Sequence, residues 1–335
     1  MPSAPGEIHT PMLDAVIMRA GGRLILLLFR ISSGYKRGGC EHSTERKASI
    51  LNLLRRALLA SIGAMIGWKP SWSKQISPDS GEETVTQNEV EKSSVTPRHV
   101  LCFLGKGRDL SPLSDAASQA IREFATGFSI DEDYSQAEPD DRMSQSFAVC
   151  WDRVEADAWS PADEDAVTDH QSVLYILGPS MQQAETVKVS MVALSLIERL
   201  IDAGAVAVKG ESAGIAHGLD RWRELIRQGA EVVKDADPLA EQRIGRLAFA
   251  KRPLSVSGYL ESVGFHLVGL PEVYVPETAG SERQIVAIMD AVADEIAQRG
   301  LEPTLKARRA SLSFDSTYEP DEFKFNPYGI VRMPK

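Results

Sequence analysis

The feature that most constrains the fold is an amphipathic helix that ends on a glycine and runs straight into an apolar segment. Over Ser180–Ala203, Val187, Met191, Leu194, Ile197 and Ile201 recur at three- and four-residue steps, the spacing of one buried helical face. Ser180-x-x-Gln183 reads as a capping box, and Gly204 supplies the left-handed stop. The run Ala205–Val208 follows at once and reads as a strand. A helix with one greasy stripe next to a fully apolar strand must bury that stripe on a sheet.

The same alternation extends along the chain. Strands are expected at His99–Leu104, Phe147–Trp151 and Ser172–Leu177. Helices are expected at Ser111–Thr126, with Pro at its first helical position, from Asp237-Pro238 to Lys251, and at Ser281–Gly300 behind a Ser281-x-x-Gln284 box. Val263–Val268 and Val273–Val275 are two apolar runs split by Gly269-Leu270-Pro271, and Ala310–Phe314 and Tyr328–Met333 are short strands near the C-terminus. Asp131–Arg142 reads as a solvated acidic loop, without the spacing of a calcium loop. The expected class is α+β, with α/β as the alternative.

Charge divides the chain. Residues 1–69 hold ten Lys and Arg against four Asp and Glu, a net of +6 that leaves −16 for the rest of a chain whose total is −10. An acidic body lacks the clustered cations that neutralise a phosphate backbone, so nucleic acid is not an expected partner. Three segments are expected: a basic one over 1–69, a disordered Ser/Pro/Glu-rich linker over 70–97, and a globular domain over 98–335. Within the first, Leu24–Phe29 is too short to span a bilayer and has no turn and strand after it to place it in a sheet. A start codon downstream of this run is one reading of it. Residues 48–68 form a basic amphipathic helix ending at Trp68, suited to a membrane interface, to packing on the body or to a partner. Membrane contact is expected through 48–68 alone. Cys40, Cys102 and Cys150 form no C-x-x-C pair, which fits a reducing, cytoplasmic setting. No cofactor and no metal are expected.

The most chemical stretch is Gly210-Glu211-Ser212-Ala213-Gly214, a G-x-S-x-G between the strand Ala205–Val208 and an expected helix starting at Ala213. Strand, tight turn and helix make the setting of a nucleophile elbow. An esterase-type serine hydrolase would use Ser212 as nucleophile, His266 as base and Asp237 or Asp235 as orienter, in the chain order Ser, acid, His. Against it, no His-Gly-Gly loop lies upstream, Asp237 also reads as a helix cap, and His266 also reads as a core histidine. The other reading is a binding site without a nucleophile, formed by Lys209, Glu211, His217 and Arg221 around a helix N-terminus, with His217 and Arg221 four apart on one helical face. A salt-bridged surface helix is the plainest reading of the same residues.

Leu260-Glu261-Ser262-Val263-Gly264-Phe265-His266-Leu267-Val268-Gly269-Leu270-Pro271-Glu272-Val273, preceded by Ala203–Val208, resembles an uncharacterised bacterial domain-of-unknown-function family over about residues 173–300. The resemblance implies a small cytoplasmic protein with an interaction role, toxin immunity among them, and carries no catalytic residue. The GESAG turn is not part of that pattern. The function expected first is therefore a non-catalytic binding or interaction domain with a protein or small-molecule partner. The serine hydrolase stands second.

Overall fold

The computed structural model describes residues 15–20, 23–28, 96–155, 158–314 and 324–335. The chain divides into two units, Met1–Val85 and Thr86–Lys335. In the first, β1 (Ala15–Ala20) and β2 (Arg23–Leu28) pair antiparallel, Ala20 opposite Arg23. Residues 24–28 of the apolar run thus do join a ladder, with a strand that precedes them. The helix expected over 48–68, and the linker up to residue 95, lie outside the described residues.

The second unit is an α+β fold built on two sheets. The first contains β3 (Val100–Gly105), β4 (Ser129–Gln136), β5 (Ser172–Leu177), β6 (Ala205–Gly210) and β7 (Ile215–His217), in the order β4-β5-β3-β6-β7 and antiparallel throughout. Helices cover both faces, which explains the near-continuous apolar sequence of its central strands. Successive side chains of a strand point to opposite faces. Leu101 and Phe103 accordingly pack with α1 (Ser111–Glu123), α4 (Thr186–Asp202), α5 (Leu219–Lys234) and α6 (Pro238–Phe249) in one core. Cys102 and Leu104 pack on the other face against Met143, Phe147, Cys150 and Val167 from α2 (Met143–Cys150) and α3 (Pro161–Thr168).

The second sheet contains β8 (Lys251–Val256), β9 (Tyr259–Val263), β10 (Glu272–Pro276), β11 (Ser311–Ser313) and β12 (Ile330–Arg332), in the order β11-β12-β10-β9-β8. Its β10–β12 pair is parallel and the other pairs are antiparallel. Val273, Val275 and Val331 bury against Ile285, Met289, Val292 and Ile296 of α7 (Glu282–Arg299). The helix α8 (Leu301–Arg308) and strand β8 had no counterpart in the sequence reading.

Several expected elements stand and several change. Gly204 does sit at φ +104° after α4, Ser281 and Gln284 do form a capping box, and Asp237 caps α6. The box expected at Ser180 is instead Gln182 with Glu185, because a 3-10 turn at Gln183–Glu185 precedes α4. Phe147–Trp151 is not a strand. Met143, Phe147 and Cys150 are buried at four- and three-residue steps, a helical period that a five-residue window hides. Asp131–Arg142 is not all loop, since β4 runs to Gln136 as an edge strand whose charged side chains suit solvent. The run Val263–Val268 breaks at Gly264 (φ +112°), after which Phe265–Val268 is a 3-10 turn. Among the described residues, no helix is long and apolar enough to cross a membrane.

Candidate functional site

The segment after β6 does not enter a helix. Gly210 pairs with Ile215, so Glu211–Gly214 is the loop of the β6–β7 hairpin, and α5 starts only at Leu219. Gly214 takes φ +67° and its N–H closes the turn on the Glu211 carbonyl at 3.1 Å. A left-handed glycine ending a short loop is hairpin chemistry. The strand–turn–helix setting of a nucleophile elbow is therefore absent at Ser212.

Ser212 is 1% exposed. Its hydroxyl donates to the Arg98 carbonyl at 2.7 Å and accepts the Val100 N–H at 2.9 Å. The Glu211 N–H adds a 2.8 Å bond to the Val100 carbonyl. The turn thus clamps the chain as it enters β3. His266 lies fully buried in the 3-10 turn, with Nδ1 3.2 Å from Glu272 Oε1. Asp237 spends its carboxylate on the Leu239 and Ala240 N–H groups at the start of α6. Asp235 is the C-cap of α5. Each residue of the hydrolase reading holds backbone or a different partner.

Glu272 is the centre of a buried knot. It accepts from Ser262 Oγ at 2.6 Å, the Gly264 N–H at 3.0 Å and Asn326 Nδ2 at 2.9 Å, besides facing His266. A buried carboxylate with this many donors is satisfied where it stands. Nearby, Ser190 Oγ donates to the Leu267 carbonyl at 2.7 Å, so His99 Nε2–H donates to Ser190 Oγ at 2.9 Å. Burial pushes His99 down to about 3, with His266 acting the same way, and keeps it neutral. Nothing in the linear sequence pairs positions 99, 190 and 267.

The four expected binding residues fall on opposite faces of the first sheet. Lys209 points to the α2 side, where Nζ reaches Ser146 Oγ, sits 5.2 Å over the Phe147 ring and lies 2.7 Å from Glu211 Oε1. Burial is the largest single influence and works against its charge, but the Glu211 carboxylate together with the Cys102 and Cys150 thiols holds the ammonium above its ordinary value. A permanently charged lysine is a poor general base for Ser146. Tyr175 donates to Glu211 at 3.3 Å, and burial raises both the Tyr175 hydroxyl and, to about 12, the Cys102 thiol beside it.

His217 points the other way. It belongs to β7 and not to the helix that carries Arg221. Its Nε2–H donates to the Ala248 carbonyl at 3.1 Å, its ring stands edge-on to Trp222 at 4.8 Å, and Nδ1 lies 3.6 Å from Asp152 Oδ2. Burial dominates and lowers His217 to about 4, against the pull of Asp152. Lys209 with Glu211, and His217 with Arg221, are therefore two separate groups. A cleft of about 520 Å³ between α4 and α5, lined by Ile201, Ile226, Arg223 and Arg227, includes none of the four.

Among the described residues, no group of three or more His, Cys, Asp or Glu side chains is placed to hold a metal. Comparison with protein-family models, with curated proteins and with solved structures finds no match.

Proposed function

We propose that residues 98–335 act as a non-catalytic binding or interaction domain for a protein or small-molecule partner. The observation that carries this reading is the commitment of the Ser212 hydroxyl, its proton given to Arg98 and its lone pair to Val100, inside a hairpin loop. A nucleophilic serine needs its proton directed at a base and its oxygen open to substrate. The setting we infer is the cytoplasm, supported by Cys102 and Cys150 being buried thiols without a disulfide. The acidic body speaks against nucleic acid as the partner.

Fluorophosphonate labelling of the full chain beside Ser212→Ala tests the reading. Neither protein is expected to take the label. Labelling of the wild type that disappears in Ser212→Ala would overturn it in favour of the esterase.

A further inference from the structure

The helices α4 and α5 touch at Gly229, where a Cβ would lie 3.1 Å from Leu194 Cδ1, yet between them they leave the cleft of about 520 Å³. Ile201 and Ile226, both buried, are its apolar lining. On α5, Ile226, Ala230 and Val233 recur at four- and three-residue steps, one stripe of a helix. Val233 is 48% exposed, so the stripe runs out into solvent.

The two walls of the cleft differ in charge. From α4 come Glu198 and Asp202, whose side chains have no hydrogen-bond or ion-pair partner among the described residues. Both stand at the C-terminal end of α4. Like charges four apart repel, and the negative end of a helix dipole disfavours acids, so two carboxylates there lower stability unless cations face them. Arg199 beside them reaches instead to Glu123 at 3.0 Å. The α5 wall carries Arg223, Arg227 and Lys234. Lys234 likewise has no partner among the described residues, and Arg223 meets Asp220 only at 3.5 Å. Arg227 pairs with Glu224 and Glu231 at 2.7 and 2.6 Å and keeps further N–H donors. Among the described residues, no ion pair crosses the cleft.

We propose that this cleft is where a second copy of the chain docks. A two-fold axis running along the cleft lays α4 of each copy over α5 of the other, the isologous contact of a symmetric dimer. Glu198 and Asp202 of one copy then face Arg223, Arg227 and Lys234 of the other, twice over. Ile201, Ile226 and Val233 of both copies lose water in the same step. An axis running across the cleft would instead set acid wall on acid wall, so charge selects one arrangement of the pair. With two helices from each copy the contact is small, and the association belongs to the weak class. The proposal rests on the binding-domain reading and names its partner.

The test is the sedimentation-equilibrium mass of the full chain at micromolar concentrations and physiological salt. Two charge-reversed variants run beside it, one with Glu198→Lys and Asp202→Lys, the other with Arg223→Glu and Lys234→Glu. The wild type is expected to approach twice the mass of one chain. Each variant alone should self-associate at least about tenfold more weakly, because both of its walls then carry the same net sign. Mixed in equal amounts, the two variants should restore the dimer, since acid again faces base at both contacts. All four positions are exposed, and the far-UV circular dichroism of each variant is expected to match the wild type. Each variant also tests the pairing by itself, so one that failed to fold would leave the other decisive. A monomeric wild type, a dimer that survives either reversal, or a mixture of folded variants that stays monomeric would overturn the proposal. A monomer would leave the Ser212 labelling result untouched, whereas labelling at Ser212 would end the non-catalytic reading and leave the measured mass as it is.

Discussion

Ser212 donates its hydroxyl proton to the carbonyl of Arg98 at 2.7 Å, across 114 positions of sequence, and accepts from Val100 on the far side of His99. One side chain thereby fixes the first turn of backbone entering the central strand. Ser212→Ala strands the buried Val100 N–H, and an unsatisfied buried donor costs about 1–3 kcal/mol. Urea denaturation is expected to show that loss with the fold retained. An unchanged or increased stability would mean that the clamp contributes little and would reopen a functional role for the serine.

Lys209 and Glu211 form a pair with unequal burial, Lys209 being 1% and Glu211 28% exposed at the side chain. Removing the acid leaves the cation buried, whereas replacing the lysine by an apolar chain removes the charge as well. Glu211→Gln should therefore destabilise by about 1–3 kcal/mol, and Lys209→Met by less. Thermal denaturation of the two variants at pH 7 checks the order, and the reverse order would refute it.

Gly264 and Gly204 both require positive φ, at +112° and +104°, but only one is crowded. A Cβ on Gly264 would lie 2.7 Å from Ala213 Cβ and 2.7 Å from the Phe249 carbonyl, whereas one on Gly204 meets nothing within 4 Å. Gly204→Ala is expected to cost about 1 kcal/mol from backbone strain. Gly264→Ala is expected to cost at least about 3 kcal/mol, from steric overlap added to strain, and to lower soluble yield. Comparable melting temperatures for the two variants would contradict the packing described between the GESAG turn and Gly264.

Acid should destabilise this domain well above the usual carboxylate range. His99 and His217 are lowered by burial to about 3 and about 4, so the unfolded chain binds more protons below its own histidine value. The stabilisation is complete above about pH 6.5 and declines as pH falls through the window down to 3–4, by on the order of 3 kcal/mol for His217 and somewhat more for His99. Melting temperatures from pH 7.5 to 4.5 should fall accordingly, and His217→Gln should flatten the slope. A pH-independent melting temperature across that interval would disprove it.

The sequence alone determined the long helices and their ends. Gly204, Asp237-Pro238 and Ser281 with Gln284 act through backbone geometry and hydrogen bonds within a few residues, so their effect is written locally. The apolar runs at 100–105, 172–177 and 205–210 are strands for the same reason. What followed the GESAG turn was decided by tertiary structure. Ala213–His217 is compatible with helix, but β6 had a free edge, and a hairpin gives those backbone groups their partners. The short apolar run at 147–151 became helix because α2 covers the Cys102–Leu104 face of the sheet, which no local pattern announces. Pairings such as Ser212 with Arg98, His266 with Glu272 and Asp152 with His217 depend on how the sheets and turns stack. Residue type shows that these side chains need partners when buried; only the folded chain decides which partners they meet.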